Sequence, residues 1–374
     1  MDGTSRKSVV VSAVNIRKGG TLTVLRDCLA CLSRRDDLKV TAIVHNADLC
    51  RVEGVRYIEI PWSVKSWAHR LWCEYVTLRG ISRKMGVPDL WLSMHDTTPR
   101  VHAARQAVYC HTAFPFMKIK AQDFRFDAKI PLFALFTKYA YRAFVRRNSF
   151  LIVQQEWFRK GLSSLTGFPE DKIIVAPPAV ISSAPFVISS GGVAGVEKSK
   201  RISFLYPSTP DCHKNFETLC EASALLEKKL GPGAFRTVLT ISGEENRYSR
   251  WLKSRWGGIE SISFKGFLPK EELLRLYGEA SALVFPSRSE TWGLPISEFL
   301  PSGKPLILAD LPYAHETASG APAAAFFNPD NAQELAGLME KVVAGTAAFS
   351  PVAEVEHSEP FARDWDSLLN ILLG

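Results

Sequence analysis

The sequence predicts a doubly wound α/β protein built in two halves, and three observations carry that expectation. At 374 residues the chain exceeds the size at which one hydrophobic core keeps growing, so two domains are expected. Short apolar runs alternate with helical patterns through both halves, as parallel sheets covered on both faces require. The first run, VVVSAV, ends in the glycine turn NIRKGGT and leads into the helical pattern TVLRDCLACLSRR. Strand, glycine turn, helix is how a doubly wound unit opens.

The remaining elements follow in order. VTAIVHN, VRYIEI, LWLSMH and QAVYCH read as further strands, separated by segments such as the helical VKSWAHRLWCEYVTLRGISRKMG. SFLIVQQEW reads as the last strand of the first half, followed by a helix and by PEDKIIVAPPAV. SSAPFVISSGGVAGVEKSK is rich in Ser and Gly and lacks periodicity, so it reads as a linker. The alternation then restarts with RISFLYPS and HKNFETLCEASALLEKKL, and continues through FRTVLTISG, SISFKGFL, EELLRLYGEASALVFPS and KPLILAD. AAFFNPDNAQELAGLMEKVVAG adds a late strand and helix, and DWDSLLNILLG a terminal helix assigned to packing. The expected domains are residues 1–178 and 201–357, joined by a linker at 179–200, with a terminal helix at 358–374 placed to pack back on the first. Ligands in such sheets sit beyond the carboxyl ends of the strands, so two such halves are expected to face a ligand cleft.

Composition narrows the class. Hydrophobic residues at 46% and charged residues at 22% describe an ordinary globular protein. The formal charge is +8, and residues 117–147 alone carry eight basic and two acidic side chains. That local excess, interleaved with Phe, Leu and Tyr, suits either a solvated helix face or an anionic partner, and a membrane surface is one such partner. Seven cysteines without framework spacing predict reduced thiols and a cytoplasmic setting, with Cys28 and Cys31 as core residues of a helix. The opening apolar run is too short for a secretory signal, and no run approaches the eighteen residues of a membrane span, so any membrane contact is expected to be peripheral.

The chemistry concentrates in SRSETWGLPISEF, where Glu290 and Glu298 are separated by seven residues around a Gly-Leu-Pro turn. SALVFPS reads as a buried strand running into this loop, and Pro295 suits the first turn of a following helix. Glu290 then lies at a strand's carboxyl end and Glu298 on the next helix. A carboxylate accepts two hydrogen bonds at once, which matches a sugar diol. The backbone around Thr291, Trp292, Gly293 and Leu294, at a helix start with a glycine, suits a diphosphate.

This stretch resembles the EX7E motif of the retaining GT-B glycosyltransferases of glycosyltransferase family 4, and the resemblance runs along nearly the whole chain. It implies two Rossmann-like domains, a nucleotide-diphosphate sugar held mainly by the second and an acceptor held mainly by the first. Glu298 would then grip the ribose and Glu290 the transferred sugar. NIRKGGT resembles the family's N-terminal glycine loop, which gives Gly19 and Gly20 a place near the donor phosphates or the acceptor. VYCHTAF resembles the segment carrying the active-site histidine, which makes His111 the candidate. His95 and Asp96, in LSMHDTTP, are a second choice at a neighbouring strand end.

SFLYPSTPDCHKNFETL resembles the diphosphate-binding start of the donor domain, with Lys214 matching the family lysine. Ser208 stands where many members carry arginine, which leaves charge neutralisation to Lys214, backbone dipoles or another basic group. KGFLPKEELLRLYGEA resembles the segment flanking the nucleobase, with Phe267 and Leu268 beside the base.

What the resemblance implies for mechanism is front-face transfer without a metal or other cofactor. The favoured donor is a GDP-sugar over a UDP-sugar, and the favoured unit mannosyl or rhamnosyl. The acceptor is a saccharide or lipid-linked saccharide of bacterial surface polysaccharide or lipopolysaccharide. Three other classes compete. A sugar-nucleotide epimerase of the same fold would release free sugar with no acceptor requirement. A basic nucleic-acid-binding protein would leave the glutamates and glycine loops unexplained, so nucleic acid is not an expected partner. A dinucleotide oxidoreductase is disfavoured because NIRKGGT is not GxGxxG.

Overall fold

A computed structural model describes residues 6–178 and 201–374; the linker read at 179–200 lies outside the described residues. The chain divides into two compact units, each built on one parallel sheet. The first unit comprises Met1–Pro115, Leu135–Ala179 and His357–Gly374, and the second Phe116–Ala134 and Val180–Glu356.

The first sheet has seven strands: β1 (Lys7–Ala13), β2 (Leu38–Val44), β3 (Arg56–Glu59), β4 (Leu90–Ser93), β5 (Arg105–Tyr109), β6 (Phe150–Val153) and β7 (Ile173–Val175). Their order is β3-β2-β1-β4-β5-β6-β7, and the chain reverses its winding between β1 and β4. The seventh strand corrects the expectation that SFLIVQQEW closes this half. β7 is only three residues, IIV, set among charged residues and prolines, so it lacks the length by which a strand declares itself. Its pairing with β6 and the exchange of backbone hydrogen bonds with Pro360 and Ala362 define it.

Both faces of this sheet are buried. On one, Val9 and Val11 pack with Leu25, Cys28 and Leu29 of helix Gly20–Ser33 and with Leu369 and Leu372 of helix Trp365–Leu373. On the other, Val10 and Trp91 pack with Cys73 and Leu78. Each fully buried leucine contributes about 1.5–3 kcal/mol, which explains why an apolar terminal helix stays docked. Asp364 caps that helix through the Ser367 amide at 2.8 Å, and Lys7 Nζ donates to the Leu373 carbonyl at 2.9 Å.

The second sheet has six strands: β8 (Ile202–Tyr206), β9 (Phe235–Leu239), β10 (Ile262–Phe264), β11 (Ala282–Phe285), β12 (Leu306–Ala309) and β13 (Ala324–Phe327). The order is β10-β9-β8-β11-β12-β13, with the reversal between β8 and β11.

One segment sits where sequence order does not put it. Phe116–Ala134 belongs to the second unit although it falls inside the first half of the sequence. Asp123, 1% exposed, binds the guanidinium of Arg288 at 2.5 Å, and Lys120 Nζ reaches Asp330 at 2.6 Å. Phe126 packs on Trp251 at 4.8 Å between ring centroids. Part of the basic segment 117–147 is therefore engaged within the second unit rather than presented as a free basic face.

Candidate active site

The two loops that follow β8 and β11 meet at the reversal of the second sheet, where doubly wound folds bind ligands. After β8 the chain makes a short 3₁₀ turn, Cys212–Lys214, and then places Asn215 in the left-handed region at φ 58°, a conformation asparagine tolerates better than most residues. Asn215 Nδ2 donates to the carbonyls of Pro286 at 3.0 Å and Pro329 at 2.8 Å. The amide of Arg288 donates to the His213 carbonyl at 2.8 Å. These bonds fix the two loops against each other. The result is a contact 76 positions long in sequence: Lys214 Nζ donates to Glu290 Oε1 at 2.6 Å, with both side chains about one-sixth exposed.

Beyond Glu290 the backbone turns through Gly293 into helix Leu294–Phe299. Gly293 has φ 87°, which a side chain would strain, and a Cβ there would approach Ile296 at 3.2 Å and Phe285 at 3.5 Å. A side chain here would therefore crowd the packing of the loop on its own unit. Trp292 Nε1 donates to Ser297 Oγ at 2.6 Å, the Thr317 hydroxyl donates to the Trp292 carbonyl, and Tyr313 donates to the Ser287 carbonyl at 2.7 Å. Thr291 and Leu294 are half-buried on either side of this anchored residue. Glu298 lies on the helix, where the Tyr277 hydroxyl donates to its Oε2 at 2.8 Å. Burial raises the Tyr277 pKa well above the ordinary phenol value, with the charge of Glu298 adding to it, so the phenol stays a donor.

Ser208 is tied through its amide to Thr240 Oγ1 at 3.0 Å. The guanidinium of Arg288 is committed to Asp123 and to the Cys212 carbonyl, so it braces the loop that holds Glu290. Lys214 remains the cation set beside Glu290. Past β10, Phe267 is 90% exposed and Leu268 half-buried.

In the first unit, Gly19 at φ 73° caps helix Gly20–Ser33 at the carboxyl end of β1, and space around its Cβ position is open. His111 follows β5. Its amide donates to Asp96 Oδ1 at 2.6 Å, and the neighbouring Thr112 hydroxyl donates to Asp96 Oδ2 at 2.9 Å. The imidazole stacks on Tyr109 at 4.5 Å. Burial pushes its pKa down to about 4, against the raising pull of Asp96, so the ring is neutral at physiological pH. His95 is 1% exposed and bonded to Ser12, Ser93 and Thr97, which is a structural environment.

Tyr277, Asn215, Asp123 and Arg288 are missed by sequence reasoning. Asn215 carries a local signal, an asparagine directly before a helical pattern; the other three become meaningful only through partners 21 to 165 positions away.

Comparison with known proteins agrees with this architecture. Residues 194–349 match the model of the family "Glycosyl transferases group 1". The O-antigen chain mannosyltransferase RfbU of Salmonella typhimurium is 30% identical over 142 residues, covering 36% of this chain and 36% of that protein. The O-antigen chain mannosyltransferase B of Escherichia coli is 27% identical over 172 residues, 43% of each. The chain thus spans well under half the length of these curated relatives.

Among solved structures, WaaG, a glycosyltransferase involved in lipopolysaccharide biosynthesis, superposes with a TM-score of 0.65 at 14% identity over 90% of each chain. The apo form of the lipopolysaccharide outer core galactosyltransferase WaaB gives 0.62 at 13% identity over 92% of each. Anabaena HepE, solved with UDP and glucose, gives 0.60 at 15% over 90% of each. The fold is that of the GT-B glycosyltransferases, two Rossmann-like domains with parallel sheets. Within it, residues 194–349 carry the similarity to the glycosyl transferases group 1 family.

Proposed function

We propose that this protein is a retaining glycosyltransferase of family 4 that moves a mannosyl or rhamnosyl unit from a GDP-sugar to a saccharide or lipid-linked acceptor of bacterial surface polysaccharide. The observation that carries the reading is the Lys214–Glu290 pair at the reversal of the second sheet, followed by Glu298 on the next helix, all inside the stretch that matches the group 1 family. The mannosyltransferase relatives support the choice of sugar and of pathway.

The roles follow from the chemistry. Glu298, with one oxygen held by Tyr277, offers the other to the ribose diol. An ammonium has three donors; one of Lys214 binds Glu290, and the others serve the diphosphate. Glu290 orients that cation and meets a sugar hydroxyl. Ser208 and the backbone of Thr291, Trp292, Gly293 and Leu294 complete the phosphate contacts. Phe267, whose exposed ring is an apolar platform, flanks the base with Leu268. Gly19 and Gly20 approach the phosphates or the acceptor, and His111 takes the role of the family's active-site histidine as a neutral imidazole.

In the transfer step the bond from the anomeric carbon to the diphosphate breaks, and the acceptor oxygen bonds to that carbon on the same face. The acceptor's proton passes to the departing phosphate oxygen. Catalysis then rests on stabilising the leaving charge and on orientation, with no metal and no enzyme nucleophile. A thermal-shift screen of GDP- and UDP-sugars on wild type and Glu298→Ala tests the donor site. Absence of any shift by nucleotide diphosphates, or a full shift in the variant, would overturn it. Loss of turnover on EDTA treatment would overturn metal independence, and release of free sugar without acceptor would favour an epimerase.

We place the protein at the inner face of the cytoplasmic membrane. Among the described residues no helix is long and apolar enough to cross a membrane. Leu71, Trp72 and Val76 on one helical run, and Phe136 and Tyr139 on another, are large apolar side chains between 46% and 62% exposed. Tyr75 of the first run meets Phe144, just past the end of the second, at 5.6 Å, and Lys138, Arg142 and Arg146 lie on or just after the second run in sequence. Exposed apolar side chains interspersed with cations suit an anionic bilayer surface.

A further inference from the structure

In the segments that follow β1 and β3, the first unit holds a cavity of about 320 Å³ lined by Asn15, Arg17, Ser63, Ser66, Trp67 and Arg70, together with Val64. That volume is within the range of small-ligand sites. Two guanidiniums and no carboxylate line it.

Arg70 is held from behind. Its Nε donates to Glu74 Oε1 at 2.7 Å and its Nη2 to the His95 carbonyl at 2.8 Å. Glu74 has no exposed surface, and the Thr97 hydroxyl donates to its other oxygen. The helical run carrying Arg70 passes into a π-helical turn at Cys73–Thr77, which contains Glu74 and is a distortion common at functional sites. A buried carboxylate is costly unless paired and hydrogen-bonded, and Glu74 is both. Its charge fixes Arg70 in one orientation in the cavity wall.

Arg17 is exposed at the rim, where its Nη2 donates to the Val64 carbonyl at 2.5 Å. Glu74 balances one of the two cations, so the cavity keeps a net positive charge. Trp67, 55% exposed, adds an apolar ring whose centroid lies 5.1 Å from the Arg70 guanidinium carbon.

We propose that this cavity is the acceptor subsite and that it selects an anionic sugar, one bearing a carboxylate or a phosphate. The guanidiniums of Arg70 and Arg17 bind the anion, and the Trp67 ring takes the apolar face of the pyranose. Ser63, Ser66 and Asn15 supply polar contacts around it. The assignment rests on the glycosyltransferase reading for the word acceptor; the preference for an anionic sugar rests on the cavity alone.

The test uses the full chain with its donor site saturated with GDP, and saturation-transfer NMR with three probes: methyl glucuronide, glucose 6-phosphate and neutral methyl glucoside. At least one anionic probe is expected to bind, tenfold or more tightly than the neutral one, and whether the carboxylate or the phosphate probe binds identifies the anion. Arg17→Ala is expected to weaken that binding at least tenfold and Trp67→Ala to abolish transfer to the ring protons. Trp67→Phe is expected to restore it. All three side-chain changes are at exposed positions and should keep the wild-type melting temperature and its shift by GDP. Equal binding of methyl glucoside, no binding of either anionic probe, or unchanged binding in Arg17→Ala would overturn the proposal. Anionic binding without a GDP shift would instead overturn the donor site and leave the cavity assignment standing.

Discussion

Lys214 Nζ and Glu290 Oε1 are 2.6 Å apart, joining the loops that follow two neighbouring strands at the reversal of the second sheet. A cation held this way needs no reorganisation when an anion arrives. Lys214→Ala is expected to lower kcat/KM for transfer by about 10²–10³-fold, read from initial rates with a saturating acceptor. A decrease of less than threefold would remove Lys214 from the diphosphate.

In the proposed donor site, Glu298 and the Tyr277 hydroxyl that donates to it form one unit facing the ribose. Glu298→Gln is expected to weaken nucleotide binding by about tenfold or more, the worth of one charged hydrogen bond. Tyr277→Phe, which only frees the carboxylate, is expected to have a smaller effect of the same sign. Calorimetric titration with GDP distinguishes them; an equal or larger loss in Tyr277→Phe would mean that the phenol touches the ligand itself.

The Asp123–Arg288 pair holds Phe116–Ala134 in the second unit. Removing one partner leaves a buried, unpaired charge, so Asp123→Leu or Arg288→Met is expected to cost about 3–5 kcal/mol. The double change Asp123→Leu with Arg288→Met is expected to cost less than either single change, because no charge is stranded. Urea unfolding measures all three, and additivity would show that the two residues do not interact.

His111 gives acid sensitivity. Its imidazole titrates near 6.5 when unfolded and near 4 in the fold, so between those values the unfolded chain binds more protons. The stability it contributes is complete above 6.5 and lost as pH falls toward 4, by up to about 3 kcal/mol. His45, His95, His213 and His357 are shifted down as well, each mainly by burial, and act in the same direction. His111→Gln is expected to narrow the stability difference between pH 7 and pH 4.5, and an unchanged difference would contradict this.

Membrane docking predicts sedimentation with phosphatidylglycerol vesicles, weakening as salt is raised, and little with phosphatidylcholine. Trp72→Ser combined with Phe136→Ser is expected to reduce it about tenfold or more, since each ring contributes on the order of 1 kcal/mol or more when buried. Equal binding to both lipids would remove the electrostatic component.

By itself the sequence determines the period and punctuation of the fold. Val-rich runs, glycine turns and amphipathic helices are local patterns, and they mark six strands in each half and the carboxyl ends where chemistry gathers. The spacing of Glu290 and Glu298 is equally local, because one loop and one short helix carry both. Only the tertiary structure decides what depends on distant partners. β7 exists because β6 and residues 360–362 supply its hydrogen bonds, not because three residues declare a strand. Phe116–Ala134 joins the second unit because Asp123 finds Arg288, 165 positions away. Arg70 becomes a fixed cation because a π-helical turn and the β4 loop surround Glu74. Backbone propensity acts over a few residues, whereas burying a charge beside its counter-charge requires the whole chain to bring the two together.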